Sequence, residues 1–277
     1  MTADSLTTPQ VDSLVEKTSN ALDGGRYPIK VINNEAVYQE ELRRIFARAW
    51  VYLGHSSEFT QPGDYARRYI GEDPFIVARD ENGEMHAFLD SCMHRGAQFC
   101  TAEQGNTSHF RCPYHGWTYK NDGSLQGMPH MGESYQDLDK GEIELQEANL
   151  EMYHGLIFGR IANEGPTLEE YLGDFTWYLD MLFNLTEGGL AVIGDPHRWE
   201  AEYDWKTAAD NFSGDSYHVL TTHQASLETE NLELGPWEEL DDYLKAAYLS
   251  CADSHAGAYY LSKESETYMG YPDEIVD

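Results

Sequence analysis

Apolar positions change their period along this chain, and the change marks out its parts. Residues 1–33 are polar with little periodicity and read as a loosely attached lead-in. From Asn34 the texture alters: Leu42, Ile45, Phe46 and Ala49 recur at helical spacing, which predicts an amphipathic helix over 35–49. After Trp50 short strands punctuated by turns take over. They are expected at Tyr65–Ile70, Pro74–Ala78 and Met85–Leu89, with a hairpin turn at Asn82-Gly83 between the last two. His109–Arg111 and Trp117–Tyr119 follow, then a turn at Asp122-Gly123, and Leu156-Ile157-Phe158 closes the β region. Asn163-Glu164-Gly165-Pro166 reads as a boundary. Thr167-Leu168-Glu169-Glu170 is a capping box that opens a helix through Phe183. Trp199, Ala201 and Tyr203 alternate as in a strand, and Trp205 to Thr222 reads as a helix. The fold class is therefore α+β, in three parts: a lead-in and helix over 1–49, a small antiparallel β domain over 50–162, and a second domain over 163–277.

The β domain carries the most informative chemistry. Cys92-Met93-His94 and Cys112-Pro113-Tyr114-His115 each supply one cysteine and one histidine, with seventeen residues between His94 and Cys112. Each is followed by a glycine, Gly96 or Gly116, of the kind a tight metal-holding loop needs. The strand pattern puts both loops at the ends of hairpins. One thiolate and one imidazole per loop suit a [2Fe-2S] cluster in which one iron takes two cysteines and the other two histidines. Neutral imidazole lowers the charge on the cluster and raises its potential above that of an all-cysteine ferredoxin. A structural zinc site is the alternative, but zinc ligands usually come as cysteine pairs and histidine pairs. Cys100 and Cys251 read as ordinary thiols.

A second constellation lies in the helix expected from Trp205: Asn211-Phe212-Ser213-Gly214-Asp215-Ser216-Tyr217-His218, then His223. Two histidines and a carboxylate on one face of an iron leave its other face open, the facial-triad solution. Histidines five apart on an ideal helix point about 140° apart. His218 and His223 converge only if the helix ends or distorts between them, which Thr221-Thr222 permits. Two surface histidines are the plain alternative.

Ser91–Gly96, with Phe110–Tyr119 and Asp122-Gly123, resembles the Rieske domain of aromatic-ring-hydroxylating oxygenase large subunits. Respiratory-type Rieske proteins carry a further cysteine in each loop; Ala97 and Tyr114 stand in those places here, so the resemblance is to the low-potential branch that feeds an oxygenase. The run Asn211 to His218, followed by Thr222-His223, is similar to the mononuclear-iron motif of the naphthalene-dioxygenase-like group. That resemblance implies cluster ligands Cys92, His94, Cys112 and His115, iron ligands His218 and His223, and Asn211 lining the iron pocket. It implies Asp215 as a carboxylate bridging an iron-ligand histidine to a cluster histidine of a neighbouring subunit. It further implies Fe(II) beside the cluster, electrons from NAD(P)H through a separate reductase or ferredoxin, and addition of O2 to an aromatic substrate as a cis-dihydrodiol. The assembly it implies is a homotrimer, with or without a small beta subunit. A Rieske monooxygenase or demethylase would share these metals, and an electron-transfer protein with a vestigial iron site would share the cluster alone. In the family the third iron ligand is an acid well over a hundred residues beyond the second histidine. Here 54 residues follow His223, and Glu228, Asp253 and Glu266 have no motif marking them for that role. A partial helix-grip (Bet v 1-like) catalytic domain, C-terminally truncated, is the expectation.

Charge narrows the partners. With 49 acidic and 18 basic residues the formal charge is −31, which a phosphate backbone would repel, so nucleic acid is disfavoured. Such a surface repels itself in dilute salt and is screened in concentrated salt, which points to a salty, halophilic cytoplasm. The N-terminus has neither a basic nor an apolar leader region, and no apolar run approaches a membrane span, so a cytoplasmic location and no membrane partner are expected.

Overall fold

The computed structural model describes residues 7–184, 186–215, 218, 222–223, 225, 246–251 and 255–260. They divide into two compact units. One is built mainly from Glu35–Tyr171 with Leu190–Asp195, the other from Pro9–Asn34, Leu172–Gly189 and the described residues from Pro196 onward. Among the described residues no helix is long and apolar enough to cross a membrane.

The lead-in is not loose. Thr8–Leu22 forms α1, which buries Val11. Val11 and the pair Leu14-Val15 sit three and four residues apart, a short helical stripe hidden by the polar majority around it. The next helix, α2 (Glu35–Glu41), runs into a wider π-type turn over Leu42–Phe46, with Ala47 N–H donating to the Leu42 carbonyl at 3.0 Å. The helix expected over 35–49 is thus distorted in its second half, and Ile45 faces solvent.

The first unit's framework is antiparallel. Strands β1 (Val51–His55), β2 (Asp64–Ile70), β3 (Asp73–Arg79), β4 (Met85–Leu89), β5 (Gln104–Asn106), β6 (His109–Arg111), β7 (Thr118–Lys120), β8 (Leu125–Gly127), β9 (Asn149–Tyr153) and β10 (Leu156–Arg160) make three sheets. Their orders are β4-β3-β2-β5, β6-β7-β8 and β1-β10-β9. Strand β3 shows why the sequence folds this way. Its run Phe75-Ile76-Val77-Ala78 is apolar on both faces and wholly buried, so it must be central and covered on both sides. Phe75 and Val77 enter a core with Leu53, Ile70 and Ile157. Ile76 and Ala78 enter another with Phe88, Phe110, Tyr119 and the thiols of Cys92 and Cys112. The period of two therefore ties the metal-loop core to the rest of the unit through one strand.

One expectation fails here. The second loop, Cys112–Trp117, does sit on a hairpin, since Arg111 pairs with Thr118 across β6 and β7. The first loop does not, because it leads from β4 to β5, which lie on opposite edges of their sheet. The periodicity of single strands carries no information on which strands become neighbours.

In α4 (Leu168–Leu172) the capping box is present: Thr167 N–H donates to Glu170 Oε2 at 2.9 Å and Glu170 N–H to Thr167 Oγ1 at 3.2 Å. The helix is interrupted at Gly173, and a separate helix α5 (Phe175–Phe183) follows. No strand forms at Trp199–Tyr203, where all three named side chains are exposed. In the second unit α6 (Trp205–Gly214) is opened by Asp204, whose carboxylate accepts from Lys206 N–H and Asn33 N–H, both at 3.0 Å. It ends at Gly214, not at Thr222. Strands β11 (Ala246–Cys251) and β12 (His255–Tyr260) pair as a hairpin. Glu228, Asp253 and Glu266 lie outside the described residues.

His86, on β4, gives the first unit a pH-dependent brace. Its Nδ1 lies 2.8 Å from Glu147 Oε1 and its Nε2 3.7 Å from Asp80 Oδ2. The Glu147 hydrogen bond raises its pKa above the ordinary 6.5, against the opposing effect of burial, with Asp80 and Asp122 adding to the rise. A raised folded-state pKa adds stability that is fully present below the unfolded pKa and is lost as pH rises through the folded one. The melting-temperature gap between wild type and His86→Gln should therefore close as pH is raised from about 6 into the alkaline range. A gap that stays constant with pH would contradict the brace.

Candidate metal centres

The two Cys/His loops adopt the same internal geometry. Gly96 N–H donates to the Cys92 carbonyl at 2.7 Å, and Gly116 N–H to the Cys112 carbonyl at 3.0 Å. Cys92 N–H reaches the Ala97 carbonyl at 3.0 Å, and Cys112 N–H the Trp117 carbonyl at 2.7 Å. Both glycines turn the backbone left-handed, at φ +72° and +74°, which a side chain would strain. The result separates the donors by depth: Cys92 and Cys112 are 3% and 2% exposed, whereas His115 is exposed and His94 half-buried. The two imidazole rings meet edge to face with centroids 4.6 Å apart. The structure thus brings all four expected residues together, thiols inward and imidazoles outward.

Neighbours that periodicity marked only as strand residues fix these groups. Trp117 stacks on the His94 ring at 5.0 Å and 8°. Tyr119 is fully buried, and its hydroxyl lies 3.2 Å from Cys92 Sγ while accepting from Met93 N–H at 3.0 Å. Toward a metal-bound thiolate, which carries no hydrogen, the hydroxyl is the donor. Burial raises the Cys92 thiol pKa and the neighbouring Cys112 raises it further, while the Tyr119 hydroxyl and the His94 amide oppose them. A thiolate pair here needs cationic charge supplied at the sulfurs. Local desolvation, together with His94 and Arg95, lowers the His115 pKa, which favours the neutral, metal-binding imidazole. Two adjacent buried sulfurs beneath two imidazoles fit an iron–sulfur pair with one sulfur-bound and one nitrogen-bound metal.

The two histidines of the second constellation lie beyond the end of α6. Helix α6 stops at Gly214, and the His218 and His223 rings lie 5.1 Å apart by centroids. Thr222 N–H donates to the His218 carbonyl at 2.6 Å. His218 Nδ1 lies 3.2 Å from Asp215 Oδ2. Asn211, half-buried in the last turn of α6, accepts through its carbonyl from Asp215 N–H at 3.3 Å. Among the described residues the one trio with ligand atoms mutually within 4.8 Å is elsewhere, at Asp80, Glu84 and His86. Its hydrogen bonds account for it as a turn: Asp80 Oδ1 accepts from Asn82 N–H at 2.9 Å and Glu84 N–H at 2.7 Å. Asp215 therefore stands beside His218 without completing a three-ligand set with His223.

Comparison with known proteins agrees with this geometry. Residues 49–159 match the family model described as Rieske [2Fe-2S] domain. The chain is 42% identical over 237 residues to the N,N-dimethyl phenylurea N-demethylase subunit alpha of Sphingobium sp. (strain YBL2), covering 85% of this chain and 51% of that one. It is 40% identical over 202 residues to the chlorobenzene dioxygenase subunit alpha of Cupriavidus sp. (strain PS12), covering 73% and 45%. Its structure is similar to that of naphthalene 1,2-dioxygenase from Rhodococcus sp. bound to indole, with TM-score 0.80 and 43% identity over 88% of this chain and 55% of that one. The chain spans about half the length of the curated relatives it matches.

The Tyr119 hydroxyl generates a test of the inner thiol environment. A hydrogen bond to sulfur stabilises the more electron-rich, reduced state of a bound cluster. Tyr119→Phe should move the midpoint potential to more negative values, by up to the order of 60 mV, the equivalent of tenfold for one electron. An unchanged potential in a variant with intact iron and sulfide would contradict the assigned direction of that hydrogen bond.

Proposed function

Because the chain belongs with the large (alpha) subunits of Rieske-type aromatic-ring-hydroxylating oxygenases, we propose that it is the electron-accepting and iron-binding part of a dioxygenase that cis-dihydroxylates an aromatic ring. The observation that carries this reading is the pair of equivalent loops with buried thiols and outward imidazoles. When bound, a [2Fe-2S] cluster at Cys92, His94, Cys112 and His115 supplies single-electron transfer, and Fe(II) at His218 and His223 supplies activation of O2. Residues 50–162 are the cluster domain in this reading, and 163–277 a part of the helix-grip catalytic domain.

The chain's own groups have distinct tasks. Trp117 holds the His94 ring by stacking, and the loop glycines hold both imidazoles at the protein edge, within reach of a donor or a neighbouring subunit. Asp215, with Oδ2 3.2 Å from His218 Nδ1, would steady that ring beside a metal held by His218. Its carboxylate is also the bridge to His94 or His115 of a neighbouring copy in a homotrimer, with or without a small beta subunit. Asn211 lines the iron pocket. A ferredoxin or reductase drawing on NAD(P)H delivers the electrons in the cytoplasm. The relative named as an N-demethylase favours a second reading, monooxygenation of an N-methyl group. Products made under labelled dioxygen separate the two: the dihydrodiol carries both atoms, an N-demethylation product set at most one.

In the assembled oxygenase supplied with its electron donor, wild type should contain acid-labile sulfide and convert an aromatic substrate. Asp215→Ala should keep both metals and lose activity about 100-fold, since it removes the link and not a ligand. Zinc without sulfide in the wild type would overturn the reading, and full activity in Asp215→Ala would overturn the bridge. The charge of −31 supports a salty cytoplasm as the working environment. Melting temperature should then rise as salt approaches 1 M, where the Debye length is about 3 Å; a salt-independent value would contradict it.

A further inference from the structure

The two metal loops are alike inside and unlike in how their ends are held. The second is closed by strand pairing, Arg111 against Thr118. The first connects β4 and β5, on opposite edges of the β4-β3-β2-β5 sheet, so no ladder can close it. Asp90 takes that place. Its backbone N–H is pinned to the Pro74 carbonyl of β3 at 2.8 Å. Its side chain, 1% exposed, crosses the neck of the loop, and Oδ1 accepts from Phe99 N–H at 2.9 Å and Cys100 N–H at 3.1 Å. The span Ser91–Gln98, with Cys92 and His94 in it, is thereby enclosed by one carboxylate oxygen. Asp90 Oδ2 is sealed from solvent and makes no hydrogen bond among the described residues. The effect reaches the ligands through packing, because Phe99 stacks on Tyr119 at 5.5 Å and 23°, and the Tyr119 hydroxyl holds Cys92 Sγ and Met93 N–H.

We propose that Asp90 is a positioning residue for the cluster: its Oδ1 replaces the absent strand pairing and sets Cys92 and His94 in register with Cys112 and His115. A plain buried hydrogen bond would stabilise the unit as a whole. A register clamp acts on the environment of the first loop's ligands, so its removal is read in the spectrum of the bound cluster. The acceptor oxygen is the working feature. Asp90→Asn keeps that oxygen and its size, whereas Asp90→Ala and Asp90→Ser leave both amides unbound.

This inference rests on the reading of the four residues as cluster ligands, and one experiment separates the two. The full chain is isolated with its cluster as wild type, Asp90→Asn, Asp90→Ser and Asp90→Ala. Each is followed by reduced-state EPR, midpoint potential and rate of iron loss to a chelator. Asp90→Ala and Asp90→Ser should show shifted or broadened g-values and about tenfold poorer cluster retention. Asp90→Asn should match wild type in both. Wild-type spectra in Asp90→Ser and Asp90→Ala would overturn the clamp, as would an Asp90→Asn as impaired as they are. An Asp90→Ala chain that does not fold, beside an Asp90→Ser with an unaltered spectrum, would overturn it in favour of a role in folding alone. A wild-type chain with no cluster signal would overturn the ligand reading itself.

Discussion

Two sulfur atoms placed side by side in an apolar core are the constraint from which the rest of the first unit follows. Cys92 and Cys112 belong to the same buried set as Ile76, Phe88, Phe110 and Tyr119. Thiolates at that depth are unfavourable, as the raised Cys92 pKa reflects, unless cationic charge meets them. In the proposed cluster, metal binding and the final packing of this core would be linked: the ion that neutralises the sulfurs would also lock the loops that carry them. Histidine escapes the problem because it binds metal as a neutral ring, so the two imidazoles can occupy the outer side. The inward and outward division of the ligands is a consequence of their charge.

Rigidity at the loops comes from strand β3, which divides its side chains between two cores and so couples the loop region to the opposite sheet. An electron-transfer site gains from this, because ligands that do not move on reduction keep the reorganisation small. The second constellation is built differently. It begins where α6 ends, with Asp215 just past the last turn and His218 beyond it. The His218 and His223 rings, both beyond that helix end, lie 5.1 Å apart by centroids.

The legible parts of the fold were those governed by local rules. Met85–Leu89 and His109–Arg111 match β4 and β6 in full, because alternation and turn residues decide where a strand lies. The capping box at Thr167 was legible for the same reason. What local pattern does not encode is partnership between strands, so the first loop's lack of a hairpin, and with it the task of Asp90, could be seen only in the sheet order. Helix α1 was missed because its apolar stripe is short and mostly polar residues surround it. The expected strand at Trp199–Tyr203 had alternation but pairs with no strand among the described residues, and its large aromatic side chains are exposed. The candidate metal ligands stand out in the sequence because metal chemistry restricts residue type and spacing together, which few other pressures do. Tyr119 was visible as a strand residue, whereas Trp117, expected in the same strand, lies just before β7, and only the structure gives them their contacts with Cys92 and His94.

In the proposed cluster one metal of a pair is held by nitrogen from His94 and His115 and the other by sulfur from Cys92 and Cys112. Pulsed electron–nuclear spectroscopy on the reduced chain, grown with ¹⁵N-labelled histidine, addresses it most directly. The account predicts couplings from two histidine nitrogens to the reduced iron, with those of one ring lost in His94→Cys and of the other in His115→Cys. A reduced iron–sulfur signal with no histidine nitrogen coupling would contradict it.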